Sequence, residues 1–432
     1  MTVSQIQAAA GRVHYAWIVA VVTFFLLLIA AGVRGASGVL IVPLQDGFGW
    51  SRATISFAIG VNLLLYGLAG PFAAALMDRF GVRRTMALAL AATALSVALI
   101  PTIHQAWQLV ALWGVAVGVS TGIIGSYLSA YIATRWFRVR LGLVIGILTA
   151  ANAAGQLIFL PTMAALISYA GWRAMLLCMA ALAAGFLPLL LWLMRDHPAD
   201  LGLALYGETG APKAAPAPAG NPVLVAFRAL GEGIKKRDFW LIGGPYMVCG
   251  FTTNGLIGTH LIPACVDHGL SEVAGASLLA AAGAFSFLGG TVSGWLSDRW
   301  DNRVLLSLYY GLRGLSLLYL PFAFGISFYG LAAFSILYGL DWIASVPPTV
   351  RLLSRAVGAE KTGIMVAWIT VMHQVGSASA AYLGGVMRVA FGTYFEAFLF
   401  SGLLLLAASV TVLFISGDRE EPQPEPAALK AA

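Results

Sequence analysis

The chain has 432 residues, of which 60% are hydrophobic and only 10% carry a formal charge. Soluble proteins average about 25% charged and about 45–50% apolar residues. The 18 acidic and 25 basic side chains are too few to cover the surface of a soluble protein of this length. The composition therefore excludes a soluble enzyme, a nucleic-acid-binding protein and a disordered chain, and it predicts a membrane protein.

Runs of about 20 mostly apolar residues predict transmembrane helices. Twelve such runs follow one another, at 16–45, 52–76, 85–103, 108–132, 141–168, 172–194, 240–264, 272–296, 303–325, 328–352, 362–388 and 394–416. The first run is too long for the apolar region of a signal peptide, so we interpret it as a span.

The longest polar stretch, 195–239, includes an Ala-Pro-rich segment and has the composition of a linker. It separates an N-terminal bundle (16–194) from a C-terminal bundle (240–416), with cytoplasmic segments at 1–15 and 417–432. The predicted fold is an all-α membrane protein whose twelve transmembrane helices form two pseudo-symmetric six-helix bundles.

The basic residues are distributed unevenly over the predicted loops. Twenty of the 25 lie in the termini and in the loops on the side of the linker, whereas Arg52, Arg173 and Arg388 lie in loops of the other side. Such an excess marks the cytoplasmic side of a membrane protein. The net charge of +7 therefore indicates a topology with both termini cytoplasmic, in an inner membrane, and no nucleic-acid partner.

The two halves repeat each other at a constant offset of 220 residues. Arg34–Pro43 aligns with Asn254–Pro263, and the same offset relates Gly49 to Gly269, Ser51 to Ser271, and Asp78-Arg79 to Asp298-Arg299. Two parallel six-span repeats with a binding site between them are a transporter architecture.

The loop after the second span, Asp78-Arg79-Phe80-Gly81-Val82-Arg83-Arg84, resembles the signature loop of the major facilitator superfamily, and Gly294-Trp295-Leu296-Ser297-Asp298-Arg299 repeats it. The match departs at Ala74, where the family has glycine. The resemblance implies the major facilitator fold and a cytoplasmic latch formed by Asp78, Arg79, Arg83, Gly294, Asp298 and Arg299. The alternative is that these residues are ordinary charges of inside loops.

A narrower resemblance rests on Gly49-Trp50-Ser51-Arg52, on Trp136-Phe137-Arg138-Val139-Arg140-Leu141-Gly142 and on Gly171-Trp172-Arg173. These segments are similar to the bacterial monocarboxylate transporter and oxalate/formate antiporter branch. Eukaryotic monocarboxylate transporters carry an acid and an arginine within span 8, but residues 281–291 of this chain contain neither. Their substrate arginine therefore cannot be transferred to this sequence.

Three formal charges lie deep within spans, where a charged side chain costs at least about 2.5–3.5 kcal/mol. Arg34 is the most informative, because its repeat counterpart is the neutral Asn254 and no acid lies at its depth in the first half. A planar guanidinium suits a carboxylate. We interpret Arg34 as the anion-binding residue; the alternatives are that it snorkels outward or pairs with Asp341.

Arg313 and Asp341 are the other two deep charges. Counting about 1.5 Å per residue places them roughly 15 and 20 Å into antiparallel spans, both near the midplane. They are expected to pair, either as a structural ion pair or in proton coupling. His373 also lies near the midplane and suits a proton relay or substrate contact; alternatively it is a neutral histidine that hydrogen-bonds within the bundle.

Several neutral polar residues inside spans could line a site, three pairs of them at i,i+4 spacing on one helix face. They are Asn62 and Tyr66, Tyr127 and Tyr131, Asn152 and Gln156, and Asn254. Each is a candidate substrate contact, although helix–helix hydrogen bonding is the simpler role for any one of them.

The sequence thus predicts a secondary active transporter, not an enzyme, that moves a small organic anion such as a carboxylate together with protons. Arg34 would bind the anion, and Asp341 and His373 would act in coupling. The alternative is an exporter or exchanger of an uncharged or cationic molecule, with Asp341 as the substrate contact. The expected partners are the substrate, protons and the lipid bilayer, and the expected state is a monomer.

Cys178, Cys249 and Cys265 lie in apolar runs and are interpreted as inert core residues, so neither a metal nor a cofactor is expected.

Overall fold

The computed structural model of the protein describes residues 14–125, 127–208, 222–326 and 328–416. We number the spanning helices α1 to α12. Those of the first half are α1 (Tyr15–Phe48), α2 (Arg52–Phe80), α3 (Val82–Leu99), α4 (Ala106–Trp136), α5 (141–170) and α6 (172–193). Those of the second half are α7 (237–267), α8 (Glu272–Ser297), α9 (Asn302–Ile326), α10 (Phe328–Trp342 and Val346–Val357), α11 (Ala359–Phe391) and α12 (Phe395–Thr411).

The predicted twelve spans are present among the described residues. Ten helical segments are long and apolar enough to cross a membrane, and one of these, Leu141–Leu193, changes direction at Gly171 (φ 84°) and so supplies both α5 and α6. The twelfth is α7, in which a π-helical segment, Phe251–Ile257, joins two α-helical ones. The two-bundle, all-α fold predicted from the sequence is confirmed.

The sequence repeat is also a structural repeat. Gly49 and Gly269 both adopt the left-handed conformation after α1 and α7, with φ of 69° and 80°. Two residues later, the Ser51 hydroxyl accepts a hydrogen bond from the Thr54 amide at 3.1 Å and the Ser271 hydroxyl accepts one from the Ala274 amide at 3.2 Å. These matched N-caps start α2 and α8 in the same way.

The halves meet along a few helix pairs that position the site between them. Within the first half α1 packs on α5, and within the second half α7 packs on α11. Two further contacts connect the halves: α2 packs on α11, and α5 packs on α8. The predicted linker contains a helix, Pro222–Gly233, that packs on α2 and α11. There the Phe227 ring lies 5.5 Å from Trp368, and Lys361 pairs with Glu232 and lowers the pKa of that carboxyl.

The α7–α11 contact depends on a glycine, which gives a first prediction. A Cβ at Gly250 would overlap the main-chain carbonyl of His373. Gly250→Ala is therefore expected to destabilise the protein by about 1–3 kcal/mol, because the two backbones must separate. A lowered melting temperature would report this loss.

Gly244→Ala, on the same helix, is the matched control. A Cβ at Gly244 would meet no atom within 4 Å. Because alanine favours a helix over glycine by about 1 kcal/mol, this variant should melt at the same temperature or higher. Equal melting temperatures for the two variants would contradict the close helix contact.

Candidate functional site

A cavity of about 60 Å³ lies between the two halves. It is lined by residues of six helices, α1, α2, α5, α7, α8 and α10: Arg34, Gly35, Ser37, Ile59, Leu63, Gln156, Leu160, Asn254, Gly258, Thr259, Leu279 and Trp342. A water molecule needs at least about 10–15 Å³ of such space. The cavity therefore has room for a few waters or a small ligand, and both halves would touch it.

Arg34 is the charged residue of this cavity lining. Its Nη2 donates to Asn152 Oδ1 on α5 at 2.9 Å, and its guanidinium lies 4.5 Å from the centre of the Tyr66 ring. No carboxylate among the described residues lies within ion-pair distance of it. The remaining guanidinium donors have the geometry to bind an anion, while Asn152 and Tyr66 fix the orientation of the group.

Besides Tyr66 and Asn152, which contact Arg34 directly, the predicted substrate contacts divide into two groups. Gln156 and Asn254 line the cavity with Arg34, whereas Asn62, Tyr127, Tyr131 and His373 do not. Asn62 is buried and donates to the Trp113 carbonyl at 2.6 Å, which is a contact between α2 and α4. The Tyr131 hydroxyl donates to Asp78 at 2.6 Å, at the linker end of the bundle.

Tyr127 and His373 occupy other interfaces. The Tyr127 ring lies against Gly70 of α2, and its hydroxyl is buried. The His373 ring packs on Tyr246 of α7, with 4.8 Å between ring centres. In this arrangement neither residue faces Arg34 across the cavity.

Arg313 and Asp341 form a buried ion pair in the second half. Arg313 Nε donates to Asp341 Oδ2 at 2.6 Å, and the side chain of Arg313 is fully buried. Nη2 donates to the main-chain carbonyls of Asp341 and Trp342, and Nη1 lies 2.8 Å from Cys249 Sγ. Asp341 Oδ1 is buried without a hydrogen-bond partner. The pair adjoins the cavity through Trp342.

A second charged network, which the sequence analysis did not find, joins the two halves at the end far from the linker. Arg52 of α2 makes a bidentate ion pair with Asp267 of α7, both N–O distances being 2.7 Å. Arg388 donates to Asp267 at 2.8 Å, and the Tyr394 hydroxyl lies 3.3 Å from Arg52 and 3.2 Å from His260. In the sequence Arg52 belongs to a family-like motif and both Arg52 and Arg388 lie in predicted loops, and no local pattern indicates that either one pairs with Asp267. This network ties the ends of α2, α7 and α11 together.

The acids of the two predicted latch loops pair within their own halves. Asp78 accepts from Arg135 Nη2 at 2.7 Å, and Asp298 pairs with Arg351. The two loops therefore form equivalent ion pairs. One connects the end of α2 to the end of α4, and the other connects the end of α8 to α10.

The remaining latch residues make only local contacts. Arg79 lies over the Phe80 ring and Arg299 over the Trp295 ring, at 5.4 and 4.3 Å. The Arg83 amide donates to Asp196 at 2.8 Å, so Asp196 caps the start of α3, and a Cβ at Gly294 would meet no atom within 4 Å. In this conformation none of these contacts crosses between the halves.

Comparison with known proteins agrees with this architecture. Residues 23–380 match the Major Facilitator Superfamily. The MFS-type transporter YcxA of Bacillus subtilis strain 168 is 30% identical over 86% of this chain and 88% of its own length, and monocarboxylate transporter 13 of Bos taurus is 26% identical over 91% and 88%. The crystal structure of a D-xylose-proton symporter superposes with a TM-score of 0.70 at 15% identity, over 93% of this chain and 98% of that one.

The family match covers most of the chain, and the similarity to YcxA covers most of both proteins. The superposition on the symporter supports the same fold. Twelve spans in two repeated bundles around a shared cavity are the arrangement expected of a transporter. The chain therefore belongs to the Major Facilitator Superfamily and is a membrane transporter rather than an enzyme.

Proposed function

We propose that this transporter carries a small organic anion, specifically a carboxylate, across the inner membrane together with protons. The observation that supports this most strongly is Arg34, a guanidinium in the cavity between the halves with no carboxylate within ion-pair distance among the described residues. Arg34 is partly buried, so an anion that binds to it would offset the cost of withdrawing this cation from water. A substrate carboxylate would supply two acceptor oxygens in the geometry that a guanidinium fork matches.

The rest of the lining fits a small carboxylate. Ile59, Leu63 and Leu160 offer apolar surface for a short carbon chain. Asn254 and Thr259, from the second half, can hydrogen-bond to the far end of a substrate held by Arg34. A ligand that contacts both halves can bias the equilibrium between their two arrangements, which alternating access requires.

The buried Arg313–Asp341 pair is the proposed proton site. Protonation of Asp341 would remove the counter-charge of Arg313, so the pair has two states that differ by one charge. Trp342, the next residue in the chain, lines the cavity, so the proposed change of charge would occur beside the cavity. His373, which packs on Tyr246 of α7, is the second proposed coupling residue.

The membrane arrangement belongs to the same proposal. Both termini lie outside the described residues; we place them in the cytoplasm because the basic loops are on the linker side. The Arg52–Asp267 network then closes the outer end, and Asp78 and Asp298 are latch acids that exchange their partners when that end opens. The proposed working unit is a monomer, since each chain contains both halves of the cavity.

A thermal-shift series tests the substrate class. Purified protein would be heated with formate, acetate, lactate, oxalate and succinate, with the matching amides as uncharged controls, at two pH values. A ligand at 100 times its dissociation constant stabilises the folded state by about 2.7 kcal/mol. Stabilisation by carboxylates and not by amides is expected, and a shift with the amides alone would contradict an anion site.

The alternative, an exporter or exchanger of an uncharged or cationic molecule held by Asp341, has less support. Asp341 Oδ2 is bonded to Arg313, and the cavity lining includes Trp342 but not Asp341. Stabilisation by small amines that is lost in Asp341→Asn and kept in Arg34→Ala would favour it.

A further inference from the structure

The thiol of Cys249 lies on the same guanidinium as the proposed proton acceptor. Arg313 Nε bonds to Asp341 Oδ2 at 2.6 Å, while Nη1 of the same group lies 2.8 Å from Cys249 Sγ. Ser345 Oγ is 3.6 Å from this sulfur. Cys249 and Cys265 are both buried in the same apolar cluster, but Cys249 also contacts the polar groups of Arg313 and Ser345.

On its other side Cys249 adjoins His373. Gly250, the next residue of α7, makes direct backbone contact with the His373 carbonyl, and the Cys249 thiol lies beside the imidazole. The sulfur therefore lies between the two predicted coupling residues, Asp341 and His373, which do not themselves hydrogen-bond to each other.

We propose that Cys249 is a proton-relay residue that connects Asp341 to His373 and alternates with Asp341 as the counter-ion of Arg313. This inference rests on the proposed proton coupling and names the residue through which the proton moves. The titratable and charged groups around the sulfur are Arg313 and Tyr310 on α9, Asp341 and Tyr338 on α10, His373 on α11 and Tyr246 on α7. Arg313 is the permanent cation among them, so one anion at a time balances the cluster.

The relay moves one proton with its charge balanced. A proton adds to Asp341 Oδ1, the carboxylate oxygen that is buried without a partner. The S–H bond of Cys249 breaks, its proton passes to a ring nitrogen of His373, and the thiolate remains against Arg313 Nη1. The Asp341 proton then passes to the thiolate, which restores the S–H bond and the carboxylate counter-ion, and His373 passes on the proton that it received. Arg313 therefore keeps one anionic neighbour throughout, which a fully buried cation requires.

The test uses Asp341→Asn, which imitates the protonated carboxyl, in the full-length protein with Cys178 and Cys265 replaced by alanine. The S–H stretching band in the infrared spectrum then reports Cys249 alone. The band is expected in the parent protein near neutral pH and is expected to be lost in Asp341→Asn at the same pH, because the thiolate replaces the missing carboxylate. A band of equal intensity in both proteins would overturn the proposal.

Folding provides a second readout. Asp341→Asn should fold, because the thiolate neutralises Arg313, and Asp341→Asn/Cys249→Ala should melt several degrees lower or fail to fold. Cys249→Ala alone should lower the melting temperature much less, and Cys265→Ala is the matched buried control. Failure of Asp341→Asn itself to fold would show that the thiol does not replace the carboxylate.

Transport separates this inference from the proposed function. In proteoliposomes with the radiolabelled carboxylate that stabilises the protein most in the thermal-shift series, Cys249→Ala should keep exchange of internal for external substrate and lose accumulation driven by a proton gradient. Accumulation at the parent level would overturn the relay. If the parent protein itself shows no proton-driven uptake, the proposed coupling fails, whereas the infrared and folding results, which need no substrate, still decide whether Cys249 and Asp341 share Arg313.

Discussion

Replacing Arg34 by alanine is expected to abolish carboxylate uptake while the protein still folds. The side chain is only partly buried and bonds to one neutral residue, Asn152, so its loss leaves no buried charge unpaired. A hydrogen bond between charged partners contributes about 1.5–3 kcal/mol, and a bidentate contact has two of them. The expected loss is therefore at least about 100-fold in uptake by proteoliposomes, with a melting temperature within a few degrees of the parent.

Two further variants define what Arg34 supplies. Arg34→Lys keeps the charge but not the planar fork, and should retain weak uptake, between the parent and Arg34→Ala. Arg173→Ala is the matched control, because Arg173 stacks on Trp172 at the start of α6, away from the cavity, and should transport normally. Parent-level uptake by Arg34→Ala would remove the basis for an anion site.

Replacing Asp267 by asparagine is expected to open the end of the bundle far from the linker. Asp267 accepts two hydrogen bonds from the Arg52 guanidinium. This ion pair connects a spanning helix of the first half, α2, to a spanning helix of the second half, α7. Losing contacts worth about 1.5–3 kcal/mol shifts a two-state equilibrium by about 10- to 100-fold. A cysteine at Ser37 in the cavity should then react about 10- to 100-fold faster with a membrane-impermeant maleimide added outside.

Arg388→Ala is the control for this variant. Arg388 also donates to Asp267, at 2.8 Å, but both residues belong to the second half. Its removal should therefore leave the labelling rate nearly unchanged, whereas Arg52→Gln should act like Asp267→Asn. Equal labelling rates in the parent and in Asp267→Asn would mean that this network does not hold the halves together.

Much of the fold was accessible from sequence because it rests on periodic and repeated features. The apolar runs located the spans, and the offset of 220 residues identified the repeat; in the structure this offset relates the glycine turns at 49 and 269 and the serine caps at 51 and 271. Depth counting along antiparallel spans placed Arg313 and Asp341 at one level, and the structure brings their side chains to 2.6 Å.

The lateral neighbours of a residue were not accessible in this way. An i,i+4 spacing fixes the helix face but not the helix opposite, so the sequence left two roles open for Asn62, substrate contact or helix–helix hydrogen bond, and in the structure Asn62 bonds to the Trp113 carbonyl. Arg52 and Asp267 are 215 residues apart and no repeat relates them. The neighbourhood of Cys249 depends on the packing of α7, α9, α10 and α11 together, which no local pattern encodes.

Calorimetric titration of the most stabilising carboxylate into the purified parent protein and into Arg34→Ala measures whether Arg34 binds the substrate carboxylate. It measures binding alone, without membrane orientation, gradients or the rate of the conformational change. An anion site at Arg34 predicts saturable binding to the parent and a dissociation constant at least about 100-fold weaker, or no measurable heat, for Arg34→Ala. Equal dissociation constants for the two proteins would contradict it.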